Sequence, residues 1–230
     1  MSGKRGYLPE DDTKFAPDAL ETMRTVSRHV CYLIDEGYDL QQAVTFAGNR
    51  FALSERQRFA IMRSISTKAQ LERRKACEKA DISGEEVWID GFNTIITLEV
   101  MLSDSTVFEG MDGTVRDLAG LHGTYRIIPE TERAVRLLFN VLKEMNAGAA
   151  HILLDEPVSY SGKLKVLIAE TAEKCGLMPD IRLLKEVDKA LWEKANVVSS
   201  DAIILDHCIS WVNVMKKCAG VTGIVPIRVW

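Results

Sequence analysis

Three apolar runs in this chain each stop on an aspartate: Val87-Trp88-Ile89-Asp90, Ile152-Leu153-Leu154-Asp155, and Val197-Val198-Ser199-Ser200-Asp201. The first and third pass at once into residues that can turn into an apolar helix, Gly91-Phe92-Asn93-Thr94 and Ala202-Ile203-Ile204-Leu205, while the second continues into Glu156-Pro157. Short runs of this kind, apolar and free of charge, read as strands covered on both faces, as in a parallel sheet. An acid at the carboxyl end of such a strand lies in the crevice where open α/β sheets bind ligands. Three carboxylates brought to one edge repel each other unless a cation stands between them or some take up protons. A cluster of oxygen donors suits Mg²⁺ or Mn²⁺, and no Cys/His set is present for Zn²⁺. Such a cluster could hold a scissile phosphate, generate hydroxide and stabilise a leaving oxygen.

A plainer reading stays open at the same residues. Asp90-Gly91 is also a turn dipeptide with Asn93 as a helix N-cap. A second candidate anion site begins at Ser159-Tyr160-Ser161-Gly162-Lys163, ahead of a helix that reaches Cys175-Gly176. Free N–H groups and the helix dipole there, with Ser161 and Lys163, suit a phosphate, and ordinary capping by Ser161 fits equally.

The elements that must position these residues form an α/β unit. Besides the three acid-ended strands, Ile181–Leu184 reads as a strand, and residues 106–109 and 114–117 read as a hairpin around Gly110-Met111-Asp112-Gly113. Trp211–Val214 and Ile224–Val229 are expected to close the sheet, and Glu130–Met145 is an amphipathic helix. The glycine-rich Gly120–Tyr125 reads as a loop near the crevice, with His122 as turn residue or base.

Ahead of this unit the pattern is helical. Residues 1–16 read as a poorly ordered lead, and a helix runs from Pro17 to Gly37. Asp39 caps a second helix that ends at Gly48-Asn49, and Ser54-Glu55-Arg56-Gln57 is a capping box opening a long third helix to about Glu78. On that helix Arg56, Arg63 and Arg74 fall within about 20° of one another, opposite the stripe of Phe59, Met62, Ile65, Ala69 and Ala76. They would be either a phosphate-reading face or a solvated one. The polar stretch 80–86 reads as a linker, which divides the chain into a small all-α domain, 1–80, and an α/β domain, 81–230.

The chain of 230 residues has a net charge of −4, yet residues 50–79 hold nine Lys/Arg against three Glu, so a basic segment precedes an acidic body. No apolar run is long enough to span a bilayer, and no apolar region follows the basic N-terminus, so a cytoplasmic protein with no membrane partner is expected. Five cysteines without a C-x-x-C pair fit reduced thiols. An oligomer is compatible with this composition.

Asp90-Gly91-Phe92-Asn93 and the Ser200-Asp201 step into an apolar helix resemble the PIN-like nucleases, in particular their NYN branch, over about residues 87–215. The resemblance implies a PIN-like three-layer domain with a parallel sheet and metal-dependent hydrolysis of phosphodiesters, most often RNA. It implies Asp90, Asp155 with Glu156, and Asp201 as ligands of Mg²⁺ or Mn²⁺, and Asn93 as the residue orienting substrate or water. Asp206 is the nearest candidate for the family's fourth acid, whose usual position is held here by Leu205. The hairpin region 106–126 has no counterpart in that pattern. The whole chain resembles a mainly archaeal family of uncharacterised proteins, which supplies no substrate. Two further classes remain: a catalytically weak RNA-binding module and a small-molecule phosphohydrolase.

Overall fold

A computed structural model describes residues 4–120 and 123–230. Leu121 and His122, and with them any role for His122, lie outside the described residues. The helical region contains α1 (Asp11–Lys14), α2 (Pro17–Asp35), α3 (Leu40–Arg50), α4 (Glu55–Ser64) and α5 (Lys68–Cys77). Asp39 caps α3 by accepting from Gln42 N, and Ser54 with Gln57 closes the capping box of α4. The single long helix expected over 54–78 is instead two. Ile65 leaves helical backbone, and Thr67 with Gln70 forms a second capping box that restarts the chain as α5. The apolar stripe had run through Ile65 and hidden that start signal.

The segment 4–16, expected to be loose, is tied down by charge. Arg5 Nε lies 2.6 Å from Glu99 Oε2, and Asp11 pairs with Arg56 at 2.7 Å. A buried carboxylate that stays charged needs such a partner or a metal ion.

The α/β region opens with β1 (Val87–Asp90), α6 (Gly91–Leu102) and a hairpin of β2 (Phe108–Glu109) and β3 (Val115–Arg116). It continues with α7 (Pro129–Glu144), β4 (Ala150–Asp155), α8 (Ser161–Lys174), β5 (Asp180–Leu184), α9 (Val187–Leu191), β6 (Val197–Val198), α10 (Ala202–His207) and α11 (Val214–Thr222). The main sheet is four-stranded and parallel, in the order β5-β4-β1-β6. Alternation along each strand separates two cores. Val87, Ile89, Ile152 and Leu154 pack with α6, α7, α8 and α11, whereas Leu153 and Val197 pack with Val187, Leu191, Ile204 and Leu205 of α9 and α10.

The two segments expected to close the sheet do other work. Trp211 makes only isolated bridges, to Glu78 and Val197, and the chain from Val214 is helical. Ile227 bridges to Phe108 of the hairpin. The stretch after α5 is no free linker either: Ile82 is fully buried in the core of the α/β region, and Lys79 N donates to Trp211 O at 2.8 Å. The core of the helices takes in Phe108, Leu118 and Val229 from the later chain, with Phe15 and Phe108 edge to face at 4.9 Å. The helical region therefore shares its interior with the hairpin and the C-terminal segment.

Candidate active site

Counted along the chain, the strands of the main sheet lie in the order 3-2-1-4, so the connections reverse direction between β1 and β6. In open α/β sheets the ligand crevice forms outside the carboxyl ends of the strands at such a reversal. Asp90 is the last residue of β1, and Asp201 follows β6 after the two serines. Gly91 makes the turn possible: a Cβ there would come within 2.6 Å of Leu154 Cδ2 and 2.8 Å of the Leu153 carbonyl oxygen. Only glycine lets α6 start so close to β4.

The two sides of the crevice are sewn together by short side chains. Ser199 Oγ donates to Asp90 Oδ2 at 2.8 Å and accepts from the Asp201 backbone N–H at 3.0 Å. Asn93 Oδ1 accepts from both Ser200 N and Ser200 Oγ at 2.9 Å. Asn93 thus has its oxygen committed inside the protein, and only its Nδ2 is left to meet a ligand. Asp201 caps α10, with Oδ1 accepting from Ile203 N at 2.8 Å and Ile204 N at 3.3 Å.

A cavity of about 240 Å³ lies over this edge, and Asp90, Asn93, Asp155, Asp188 and Asp201 line it together. Its other walls are Phe92 and Ile96 of α6, Val158, Asp117 and Gly120, and Phe59 and Arg63 of α4. Among the described residues none of Asp90, Asp155, Asp188 and Asp201 has a Lys or Arg within salt-bridge reach. The electrostatic result is clear at Asp90, which is 5% exposed. Burial pushes its carboxyl up to about 8, against the Ser199 hydrogen bond and with help from Asp201, Asp188 and Asp155. Burial and Asp188 raise Asp155, and burial and Asp201 raise Asp188.

Asp188 and Asp117 are the acids that sequence reasoning did not single out. The signal for Asp188 was present, since the strand Ile181–Leu184 also leads to an acid, but Lys185, Glu186 and Val187 intervene. Asp117 follows the hairpin, and its carboxylate is already occupied, accepting from Thr97 Oγ1 at 2.7 Å and Ala119 N at 2.8 Å.

Several expected site residues are elsewhere. Asp206 does not line the cavity: Arg74 Nε and Gln70 Nε2 hold its two oxygens at 2.7 Å and 3.0 Å. Glu156 is exposed beyond the end of β4. Ser161 Oγ donates to the Glu156 carbonyl at 3.1 Å, and Lys163 lies over the Tyr160 ring at 4.7 Å, both away from the cavity. The arginine face expected on one helix does not exist, because the break at Ile65–Thr67 sends its members to three destinations. Arg56 turns inward to Asp11 and the Leu118 carbonyl. Arg74 is 1% exposed. Arg63 alone of the three reaches the cavity.

Arg74 belongs to a buried cluster behind the crevice. Its Nη1 lies 2.7 Å from Asp112 Oδ2, and Arg116 Nη2 meets the same oxygen at 2.5 Å. Arg116 Nε donates to the Ser200 carbonyl at 2.8 Å, and Arg74 Nη2 donates to that of Ala202 at 3.3 Å. The two arginines grip the backbone on either side of Asp201.

In kind, the oxygens left free in the cavity fit a hard divalent cation, being carboxylates, since the Asn93 amide oxygen is already bonded to Ser200. In spacing, no group of three or more His, Cys, Asp or Glu among the described residues is drawn together as a ready ligand set. Mg²⁺ commonly keeps several waters and takes one or two carboxylates, which this arrangement allows. No helix among the described residues is long and apolar enough to cross a membrane.

Residues 79–217 match the family described as "Domain of unknown function (DUF5616)", and residues 23–76 match "Protein of unknown function (DUF434)". The chain is similar to the uncharacterized protein MJ0935 of Methanocaldococcus jannaschii, at 32% identity over 176 residues, which cover 76% of this chain and 84% of that one. No solved structure matches the chain.

Proposed function

We propose that this chain, which belongs to the DUF5616 family, hydrolyses phosphodiesters with the help of a divalent cation, its substrate being RNA. One observation carries the reading: Asp90, Asp155, Asp188 and Asp201 share one cavity at the reversal point of a parallel sheet, with no Lys or Arg paired to any of them among the described residues. Uncompensated buried carboxylates are costly, and proteins keep them chiefly where a cation or a proton completes the site. The choice of phosphodiester and of RNA rests on the resemblance of residues 87–215 to the PIN-like nucleases, whose Asp-Gly-x-Asn step stands here at Asp90–Asn93.

In this proposal Asp90, Asp155 and Asp201 would hold Mg²⁺ or Mn²⁺, in part through water. The ion, when bound, polarises the phosphate and favours deprotonation of a neighbouring water. The chain's own residues do the rest. Asp188, exposed at the cavity, can take on a carboxylate oxygen the proton that water gives up as it attacks phosphorus. The phosphorus–oxygen bond to the leaving nucleoside then breaks, its oxygen taking a proton from solvent to become a hydroxyl while the other fragment keeps a phosphate monoester. Ser199 and Ser200 fix Asp90 and Asn93 against each other, so that the acid edge stays in register through the step.

The test is cleavage of end-labelled single-stranded RNA by the full chain in Mn²⁺, in Mg²⁺ and in chelator. Cleavage in either metal, absent in chelator and reduced at least about 100-fold in Asp90→Asn, is the expected result. Equal cleavage by wild type and Asp90→Asn would assign the activity to a contaminant and remove the proposal.

A further inference from the structure

The cavity has an apolar half that phosphate hydrolysis does not require. Phe59, Phe92, Ile96 and Val158 face the same space as the aspartates. Of these, Phe59 comes from α4, together with Arg63. Arg63 differs from Arg56 and Arg74, the two arginines expected to share its face. Arg56 and Arg74 each hold a carboxylate at 2.7 Å, whereas Arg63 makes no salt bridge among the described residues although five aspartates line its cavity. Its Nε is buried without a hydrogen-bond partner among the described residues, and its guanidinium stands 5.7 Å from the centre of the Phe59 ring. A buried donor left unpaired is costly, and an anion entering the cavity would satisfy it. A ring beside that anion offers a flat apolar surface of the kind on which nucleobases stack.

Taking the proposed phosphodiester chemistry as its basis, we infer that α4 supplies the substrate-binding wall of this cavity, with Arg63 contacting the phosphate and Phe59 carrying one unpaired base. The helical region then reads the substrate, while the sheet edge acts on it. A cavity of about 240 Å³ has room on the scale of one nucleotide and not of a paired stack.

The experiment is calorimetric binding of adenosine monophosphate and of inorganic phosphate to the full chain in Mn²⁺, for wild type, Arg63→Gln, Phe59→Leu and Asp90→Asn. Leucine keeps the apolar packing of position 59 while removing the ring, and thermal melting checks that each variant is folded. Wild type should prefer the nucleotide to phosphate. Phe59→Leu should lose about 5- to 100-fold for the nucleotide with phosphate unchanged, the range expected of one base stacked on an aromatic ring. Arg63→Gln should weaken both ligands about 10-fold or more, as loss of a charge-assisted phosphate contact does. If both α4 variants, folded, bind both ligands as wild type does, and Asp90→Asn still abolishes Mn²⁺ dependence, the wall is wrong and the metal site stands. If wild type binds neither ligand in Mn²⁺, both fall together.

Discussion

Two groups of aspartates border the Ser199–Asp201 turn, and the most buried carboxylates, Asp112 in one and Asp90 in the other, behave in opposite ways. At Asp112 burial alone would raise the carboxyl, but Arg116, Thr114 and Arg74 outweigh it and bring it down to about 2. At Asp90 burial meets only a serine hydroxyl and other acids, and the carboxyl rises to about 8. Burial is common to both, so the neighbours decide the sign. The first group is built to stay charged and hold the backbone. The second is left without a counterion at the mouth of a cavity, which is where a ligand would supply one.

The largest expected effect breaks the first group. Asp112→Asn leaves Arg74 and Arg116 buried with a neutral partner, and removing one member of a buried ion cluster costs about 3–5 kcal/mol. Urea unfolding in chelator should show that loss. Asp206→Asn should cost less, since its side chain is 20% exposed and water can replace it in part. A loss under about 1 kcal/mol at Asp112 would mean that the cluster does not support the turn.

The second effect sharpens the contrast through pH. A carboxyl raised from its ordinary 3.8 to about 8 in the folded protein binds a proton there that the unfolded chain has released, so stability falls as pH rises through that window. Asp155 and Asp188 are shifted the same way. Asp112 acts oppositely: its contribution is complete above 3.8 and is lost only as pH falls through about 2. In chelator the protein should therefore be more stable at pH 5.5 than at pH 7.5, by roughly 2–3 kcal/mol if Asp90 dominates at 1.4 kcal/mol per pH unit. Asp90→Asn should flatten the slope. A stability that rises over this interval would contradict the uncompensated state of the acids.

The third effect, similar in size to the second, concerns the ion. Mn²⁺ at about 100 times its dissociation constant should stabilise the fold by about 2.7 kcal/mol and offset the neutral-pH penalty. Asp155→Asn should lose that gain, while in chelator its melting temperature should equal or exceed the wild-type value because one repelling charge is gone. Heat denaturation with and without metal reads both. A large loss in chelator would make Asp155 a structural acceptor and place it with Asp112 in the comparison.

The three strand ends were legible in the sequence because each signal is local: an apolar run, an acid and a turn residue within a few positions fix Asp90, Asp155 and Asp201 before any tertiary contact is known. The start of α4 was legible for the same reason, Ser54 and Gln57 lying three residues apart. Tertiary structure alone decided which charges went inside. Arg74 and Asp206 are 132 residues apart and Arg116 and Ser200 are 84 apart, so no window of sequence contains both partners. The same holds for the cavity, where Arg63 on α4 and Asp188 on α9 meet the sheet edge from separate regions of the chain. An arginine's sequence neighbours fix its angle on a helix, but whether it faces water, a carboxylate or a cavity depends on what the rest of the chain packs against it.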